Sequence, residues 1–203
     1  MSTQANPTRV LVLGCGSVAQ CVIPLLIRDL KIATSSITIV DFVDNRHRVA
    51  DAIKQGVKYE IGQVTRENLD SFLAERLAAG DILLDLAWNI DCPTILEWCR
   101  MRGVRYLNTS VELWDPYYDM AKTHPLDRTL YVRHQSIRKM VAKWGSNKGP
   151  SAVVEHGANP GLVSHFAKQA LFEISNKILN DGRAGSRQSA IESALASESF
   201  DRL

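Results

Sequence analysis

Four apolar residues, Val10-Leu11-Val12-Leu13, run straight into Gly14-Cys15-Gly16-Ser17-Val18-Ala19, and helical apolar spacing begins directly afterwards. A continuous apolar run bounded by glycine suits a strand buried on both faces. Val18, Cys21, Val22, Leu25 and Leu26 then follow at i, i+3, i+4, i+7 and i+8, which predicts an amphipathic helix with that stripe inward. Pro24 lies inside the pattern, lacks a backbone donor and predicts a kink. The turn between strand and helix reads G-x-G-x-x-A. Gly14 permits the tight bend, Gly16 leaves room for a pyrophosphate to approach the backbone, and Ala19 is small enough to lie on a sheet. The first helical turn, at Ser17 and Val18, offers free N–H groups to an anion.

Downstream segments repeat the strand–helix alternation. Ile37-Thr38-Ile39-Val40 is a second strand ending in Asp41, which stands 22 residues beyond Ala19. A carboxylate there accepts hydrogen bonds from ribose hydroxyls and repels a 2′-phosphate, favouring NAD over NADP. Arg46 and Arg48, a few residues on, are the cations that would favour the opposite choice. A bare structural turn, or a methyltransferase site for S-adenosylmethionine, are the rival readings of the same glycines. A helix is expected over Asn45 to Gln55 with Gly56 as its stop, then a short third strand over Val57, Tyr59 and Ile61. Thr65 is positioned to cap a helix striped by Leu69, Phe72, Leu73 and Leu77 and closed by Gly80.

A fourth strand over 82–86, a helix opened by Pro93 and closed by Gly103, a fifth strand over 104–107 and a sixth over 152–155 complete the pattern. A polar insertion and a helix around 134–144 separate the last two strands. The expected fold is α/β, a doubly wound parallel sheet binding a dinucleotide, over residues 1–155. Residues 156–203 read as the helical start of a second domain inside which the sequence stops.

Composition narrows the function. The 203 residues carry 24 Lys and Arg against 22 Asp and Glu, a net charge of +2, without a basic stripe of the kind nucleic acid requires. The polar N-terminus lacks a signal-peptide layout, and the apolar stretch from Val10 to Ile27 is broken by Gly14, Gly16, Ser17, Gln20 and Pro24, unlike a membrane span. A cytoplasmic protein without nucleic-acid or membrane partners is expected. Cys15, Cys21, Cys92 and Cys99 have no metal-ligand spacing and read as small buried hydrophobes, so no metal is expected.

In an open parallel sheet, ligands bind beyond the carboxyl ends of the strands. Three such ends are rich in polar chemistry. Ala87, Trp88, Asn89 and Asp91 follow the fourth strand; Asn108, Thr109, Ser110, Glu112, Trp114 and Asp115 follow the fifth; Glu155, His156, Asn159, Pro160 and Gly161 follow the sixth. Each has an ordinary structural use as well: Asp91 and Thr109 can cap helices, the tryptophans can pack, and His156 can be satisfied in place. Their convergence on the edge that carries the glycine turn makes them pocket candidates.

VLVLGCGSVAQCVIPLL, the TIVD strand end, LLDLAWN, NTSVELWDPY and HGANPG together resemble bacterial homospermidine synthases, within the saccharopine-dehydrogenase-like group of Rossmann proteins. The resemblance runs from about Arg9 to at least Ile178. It implies a transferase in which NAD oxidises one putrescine to an imine, the aminobutyl fragment passes to a second putrescine with loss of ammonia, and NADH reduces the product imine. It also implies a homodimer, and a chain more than twice this length whose second domain completes the site. Cofactor contacts would come from Gly14, Gly16, Ser17, Val18, Asp41, Ala87, Trp88, Asn89, Asn108, Thr109, Ser110, Asn159 and Pro160. Glu112 would hold a substrate ammonium, and Asn159 would sit near the nicotinamide and the reacting amine. A diamine independently wants carboxylates at its ends and an aromatic face beside a cation, which Glu112, Asp91 or Asp115 and Trp88 or Trp114 could supply. An amine dehydrogenase with net redox change and a non-catalytic dinucleotide-binding module are the competing functions.

Overall fold

The computed structural model describes residues 8–119, 121–146, 148–158 and 161–198. The chain divides into two compact units, Met1–Glu155 and His156–Leu203.

The first unit is built on β1 (Val10–Leu13), α1 (Ser17–Arg28), β2 (Ile37–Asp41), α2 (Ala50–Lys54), β3 (Lys58–Ile61) and α3 (Leu69–Ala74). It continues with β4 (Ile82–Asp85), α4 (Cys92–Arg102), β5 (Arg105–Asn108), α5 (Leu130–Ala142) and β6 (Ala152–Val153). All six strands are parallel, in the order β3-β2-β1-β4-β5-β6. Connections from β1 run outward through β2 to β3, and the chain then returns to lay β4 on the other side of β1. The strand order therefore reverses between β1 and β4, leaving a crevice at their carboxyl ends.

Side-chain alternation along β1 explains its unbroken apolar run. Val10 and Val12 join Ala19, Ile23, Ile37 and Ile39 in one core layer. Leu11 and Leu13 join Leu83, Ile95, Trp98 and Tyr106 in the layer on the opposite face. Both faces of the strand are thus covered by helices, so no position on it has a use for a polar side chain.

Several local expectations change. In α1 the buried residues are Ala19 and Ile23, whereas Val18 and Leu25 are exposed and Cys21 is exposed with them. Val22 and Leu26 pack on the core as expected, with Ala19, Ile23 and Ile27 taking the inward places expected for Val18, Cys21 and Leu25. The glycine turn sets the rotation of the helix by placing Ala19 on the sheet, and this outranks the larger side chains at 18, 21 and 25. Cys15, Cys92 and Cys99 are buried as expected; Cys21 is not. The helix continues through Pro24 to Arg28. The predicted helix over 45–55 is a 3-10 turn over Arg46–Val49 followed by only five α-helical residues, Ala50–Lys54. β6 holds two residues instead of four, because Glu155 turns out of the strand with φ 61°.

In the second unit, α6 (Leu162–Asn180) and α7 (Gln188–Ser197) pack on each other, burying Ser175, Ile191 and Ala194. Among the described residues no helix is long and apolar enough to cross a membrane.

Candidate dinucleotide site

The crevice at the strand reversal opens into a cavity of about 570 Å³. Its floor is the glycine turn, and its two sides are the loops that leave β2 and β4.

Gly14 and Gly16 do different jobs there. Gly14 has φ +87°, and a Cβ at this position would stand 2.8 Å from the Leu86 carbonyl oxygen and 3.0 Å from the Ala87 nitrogen. Only glycine lets β1 and the β4 exit lie this close. Gly16 has an ordinary φ of −83° and forms the N-cap of α1, and nothing lies within 4 Å of where its Cβ would be. Gly16 thus leaves open the face over the helix N-terminus, where the first N–H groups of α1 have no intrahelical acceptor and the dipole favours an anion. That open cradle fits a pyrophosphate.

Asp41 is buried, and its carboxylate is well supplied with donors. Oδ2 accepts the Cys15 N–H at 2.6 Å and the Asn45 side-chain amide at 3.3 Å, while Oδ1 accepts the Val43 N–H at 3.0 Å. A carboxylate has about four acceptor sites, so one remains on a residue that lines the cavity. Asp41 thereby holds the glycine turn in shape as well as facing the ligand space. Its negative charge, together with burial, raises the Cys15 thiol above its ordinary value, with burial the larger cause. That thiol stays protonated and inert.

Of the two nearby arginines, Arg46 lies 5.5 Å over the Tyr59 ring and pairs with Asp44 at 3.6 Å. The charge of Arg48 lowers the Cys15 thiol, against the two raising effects, and Arg48 is not among the residues that line the cavity.

Ala87, Trp88 and Asn89 line the cavity from the β4 side, with Trp88 60% exposed at the rim. Asn89 takes the left-handed conformation, φ 62°, and its Oδ1 accepts the Asp115 N–H at 2.6 Å. Arg66 closes the same side: it pairs with Asp115 at 3.0 Å and lies 5.6 Å from the Trp114 ring. Three loops, after β3, β4 and β5, are clasped together at this point. Residues Gln63 to Glu67 also line the cavity, a contribution that sequence reasoning missed. The stretch has no motif, and its only signal was its place after a parallel strand.

The other predicted residues are distributed differently. Ser17 and Val18 are exposed at the start of α1, flanking the cradle. Asp91 is the N-cap of α4, its Oδ2 accepting from the N–H and hydroxyl of Thr94 at 2.9 and 2.6 Å. Glu112 is half-buried, held by the Ser110 hydroxyl at 2.7 Å, with Thr109 beside them half-buried too. Asn108 is fully buried and spends its side chain on protein neighbours: Nδ2 donates to Tyr106 and Cys92, and Oδ1 accepts from the Glu155 backbone. Asn159 and Pro160 lie outside the described residues. His156 makes an edge contact with His165, ring centroids 5.4 Å apart.

Asp85, a single acid in the apolar run ILLDLAW, is the buried group that the sequence reading passed over. Burial pushes its carboxyl up to about 6; bonds from Tyr106 and the Ala87 N–H pull it down, and the charge of Glu112 pushes it up slightly. Among the described residues, no group of His, Cys, Asp and Glu could hold a metal ion.

A parallel sheet with an acid-held glycine turn at its strand reversal defines a dinucleotide-binding domain of the Rossmann type. Residues 10–153 match the family described as the saccharopine dehydrogenase NADP-binding domain, and the chain belongs to that family. It is 30% identical over 169 residues to a homospermidine synthase of Blastochloris viridis, and 30% identical over 172 residues to one of Mesorhizobium japonicum. These alignments cover 82% and 83% of the chain but 35% of each relative, so the chain spans about a third of their length. Among solved structures, the homospermidine synthase of Legionella pneumophila in complex with NAD superposes with a TM-score of 0.68 at 31% identity, over 84% of this chain and 34% of that one. The apo saccharopine dehydrogenase (L-Glu forming) of Saccharomyces cerevisiae, at TM-score 0.53 and 20% identity over 83% of this chain and 32% of that one, shares the fold.

Proposed function

We propose that this chain is the NAD-binding part of a homospermidine synthase, acting on putrescine or a related diamine. One observation carries the reading. The glycine turn, Asp41 and the Ala87–Asn89 loop line one cavity, in a chain about 30% identical to homospermidine synthases over more than four-fifths of its length.

In the proposed reaction one putrescine loses a hydride from carbon and a proton from nitrogen to become an imine. The amine of a second putrescine attacks it, ammonia leaves, and the new imine regains the hydride at carbon and a proton at nitrogen to give homospermidine. Bound NAD supplies the hydride acceptor, which becomes the donor in the same cycle, so the net redox change is zero. The chain's own residues bind and orient. Gly16 and the first turn of α1 would receive the pyrophosphate, the remaining acceptor site of Asp41 would take a ribose hydroxyl, and Ala87 to Asn89 would form the opposite wall. Glu112, aimed by Ser110, is assigned a substrate ammonium, for which a charge-assisted contact is worth roughly 1.5–3 kcal/mol. Asp91, engaged by Thr94, is the second carboxylate at that edge, and Asn159 is assigned to the reacting amine.

Membership in a dehydrogenase family supports a second reading, in which an amine is oxidised with net formation of NADH. Incubation with putrescine and a sub-stoichiometric amount of NAD separates the alternatives. Homospermidine and ammonia without accumulating NADH support the synthase. Net NADH supports the dehydrogenase, and NAD binding without turnover is what this chain, about a third of its relatives' length, should give by itself, turnover being read with the rest of the synthase supplied.

A further inference from the structure

Behind the β4 wall of the cavity lies a chain of hydrogen bonds that the proposed reaction does not use. The Ala87 N–H donates to Asp85 Oδ1 at 3.2 Å. The Tyr106 hydroxyl donates to Asp85 Oδ2 at 2.8 Å. The Asn108 amide donates to the Tyr106 oxygen at 2.9 Å and to Cys92 Sγ at 3.2 Å, and its carbonyl accepts the Glu155 N–H at 2.7 Å. The Glu155 carboxylate, itself buried, meets Nε2 of His134 on α5, a side chain 40% exposed.

Register makes this chain: Asp85 and Asn108 are paired residues on adjacent parallel strands, so their side chains leave the same face of the sheet, with Tyr106 two residues before Asn108. Asp85, Tyr106, Asn108 and Glu155 are all buried. A fully apolar set would have cost less to bury, and the members here depend on one another for hydrogen-bond partners. Glu155 moreover holds a left-handed conformation at φ 61°, unfavourable for a residue with a side chain. Its N–H bond to Asn108 and its carboxylate bond to His134 are what hold that turn.

We propose that Asp85 is a positioning residue for the dinucleotide pocket: it holds the Leu86–Ala87 turn against Gly14 and, through Tyr106 and Asn108, ties that turn to Glu155 at the exit of β6. The consequence is that the pocket wall and the backbone turn at Glu155 are set together. A displacement at Glu155 is felt at Ala87, whose nitrogen is 3.0 Å from the point a Gly14 Cβ would occupy. This rests on the reading of the cavity as an NAD site, and the experiment keeps the two apart.

Amide hydrogen exchange at Ala87 and Glu155 is measured on the unliganded chain, and NAD affinity is measured beside it, for the native protein, Asp85→Ala, Asp85→Asn and Tyr106→Phe. Asp85→Ala should accelerate exchange at both amides and weaken NAD on the order of tenfold, the equivalent of one ordinary hydrogen bond. Removing a negative charge near a pyrophosphate would by itself tighten binding, so the direction separates positioning from simple electrostatics. Asp85→Asn keeps one acceptor and should restore most of both properties. Tyr106→Phe should free the Glu155 amide while leaving Ala87 protected, and it decides the matter should Asp85→Ala fail to fold. Unchanged exchange at Ala87 in both Asp85 variants, or at Glu155 in Tyr106→Phe, overturns the proposal. Should the exchange pattern appear while the native chain does not bind NAD, the positioning of the turn stands and the reading of the cavity falls.

Discussion

The carboxylate of Asp41, the last residue of β2, accepts the backbone N–H of Cys15, inside the glycine turn, at 2.6 Å. One side chain therefore shapes the phosphate cradle and lines the place where a ribose would lie. A 2′-phosphate brought to that place meets a like charge at a few ångströms, worth on the order of 1–4 kcal/mol at the effective dielectric of a partly exposed site. NAD should bind at least about tenfold more tightly than NADP. Parallel titrations by calorimetry decide it, and equal affinities would remove Asp41 from the ribose.

The two glycines of the turn should separate by what they damage. Gly14→Ala places a Cβ 2.8 Å from a backbone oxygen at a positive φ, and should cost roughly 2 kcal/mol or more of stability. Gly16→Ala meets no atom within 4 Å and should change stability by less than about 1 kcal/mol. Its methyl group nonetheless stands in the cradle, so NAD affinity should fall on the order of tenfold or more. Urea unfolding and NAD titration of the same two variants give the four values needed.

Asp85 should make stability depend on pH in an unusual direction. Its carboxyl sits at about 6 in the fold, above an ordinary value of 3.8, so the folded chain holds a proton that the unfolded chain has released. Stability from this group is full below about pH 4 and is lost as pH rises through about 6, a change of about 3 kcal/mol. The titratable groups around it are Tyr106, Cys92, Cys99 and Glu112. The difference in unfolding free energy between the native chain and Asp85→Asn, followed from pH 4 to 8, should carry this slope, and a flat difference would place the carboxyl at its ordinary value.

Glu112→Gln should weaken putrescine without moving NAD. The side chain is held by Ser110 outside the residues that line the NAD cavity. Loss of a charge-assisted contact predicts roughly a tenfold or greater fall in diamine affinity, read by calorimetry on the NAD-saturated chain. Equal putrescine affinity in the two proteins would return Glu112 to a structural role.

In the second unit, α6 exposes Val163, Phe166 and Ile174 at 46%, 63% and 56%, along one face of the helix. An apolar stripe of that kind promotes association. The chain should self-associate in a concentration-dependent way, and Phe166→Lys with Ile174→Lys should reduce it in sedimentation velocity runs. A monomer at every concentration tested would show that the stripe is inert.

Local chemistry was enough to read β1, the glycine turn and Asp41 from sequence, because their constraint is backbone-scale: a positive φ, a close approach, an acid at a strand end. The same holds for the alternation of strands and helices, since burial on both faces leaves an uninterrupted apolar signature. The rotation of α1 was decided by tertiary structure, as packing Ala19 on the sheet turns Val18, Cys21 and Leu25 outward against their own hydrophobicity. So was the fate of Asn108, a polar residue at a strand end that burial and register direct inward to Tyr106, Cys92 and Glu155 instead of toward ligand. Asp85 shows why such partners escape a linear reading. Its side-chain partner Tyr106 lies 21 residues away, and only strand pairing brings the two within hydrogen-bond distance.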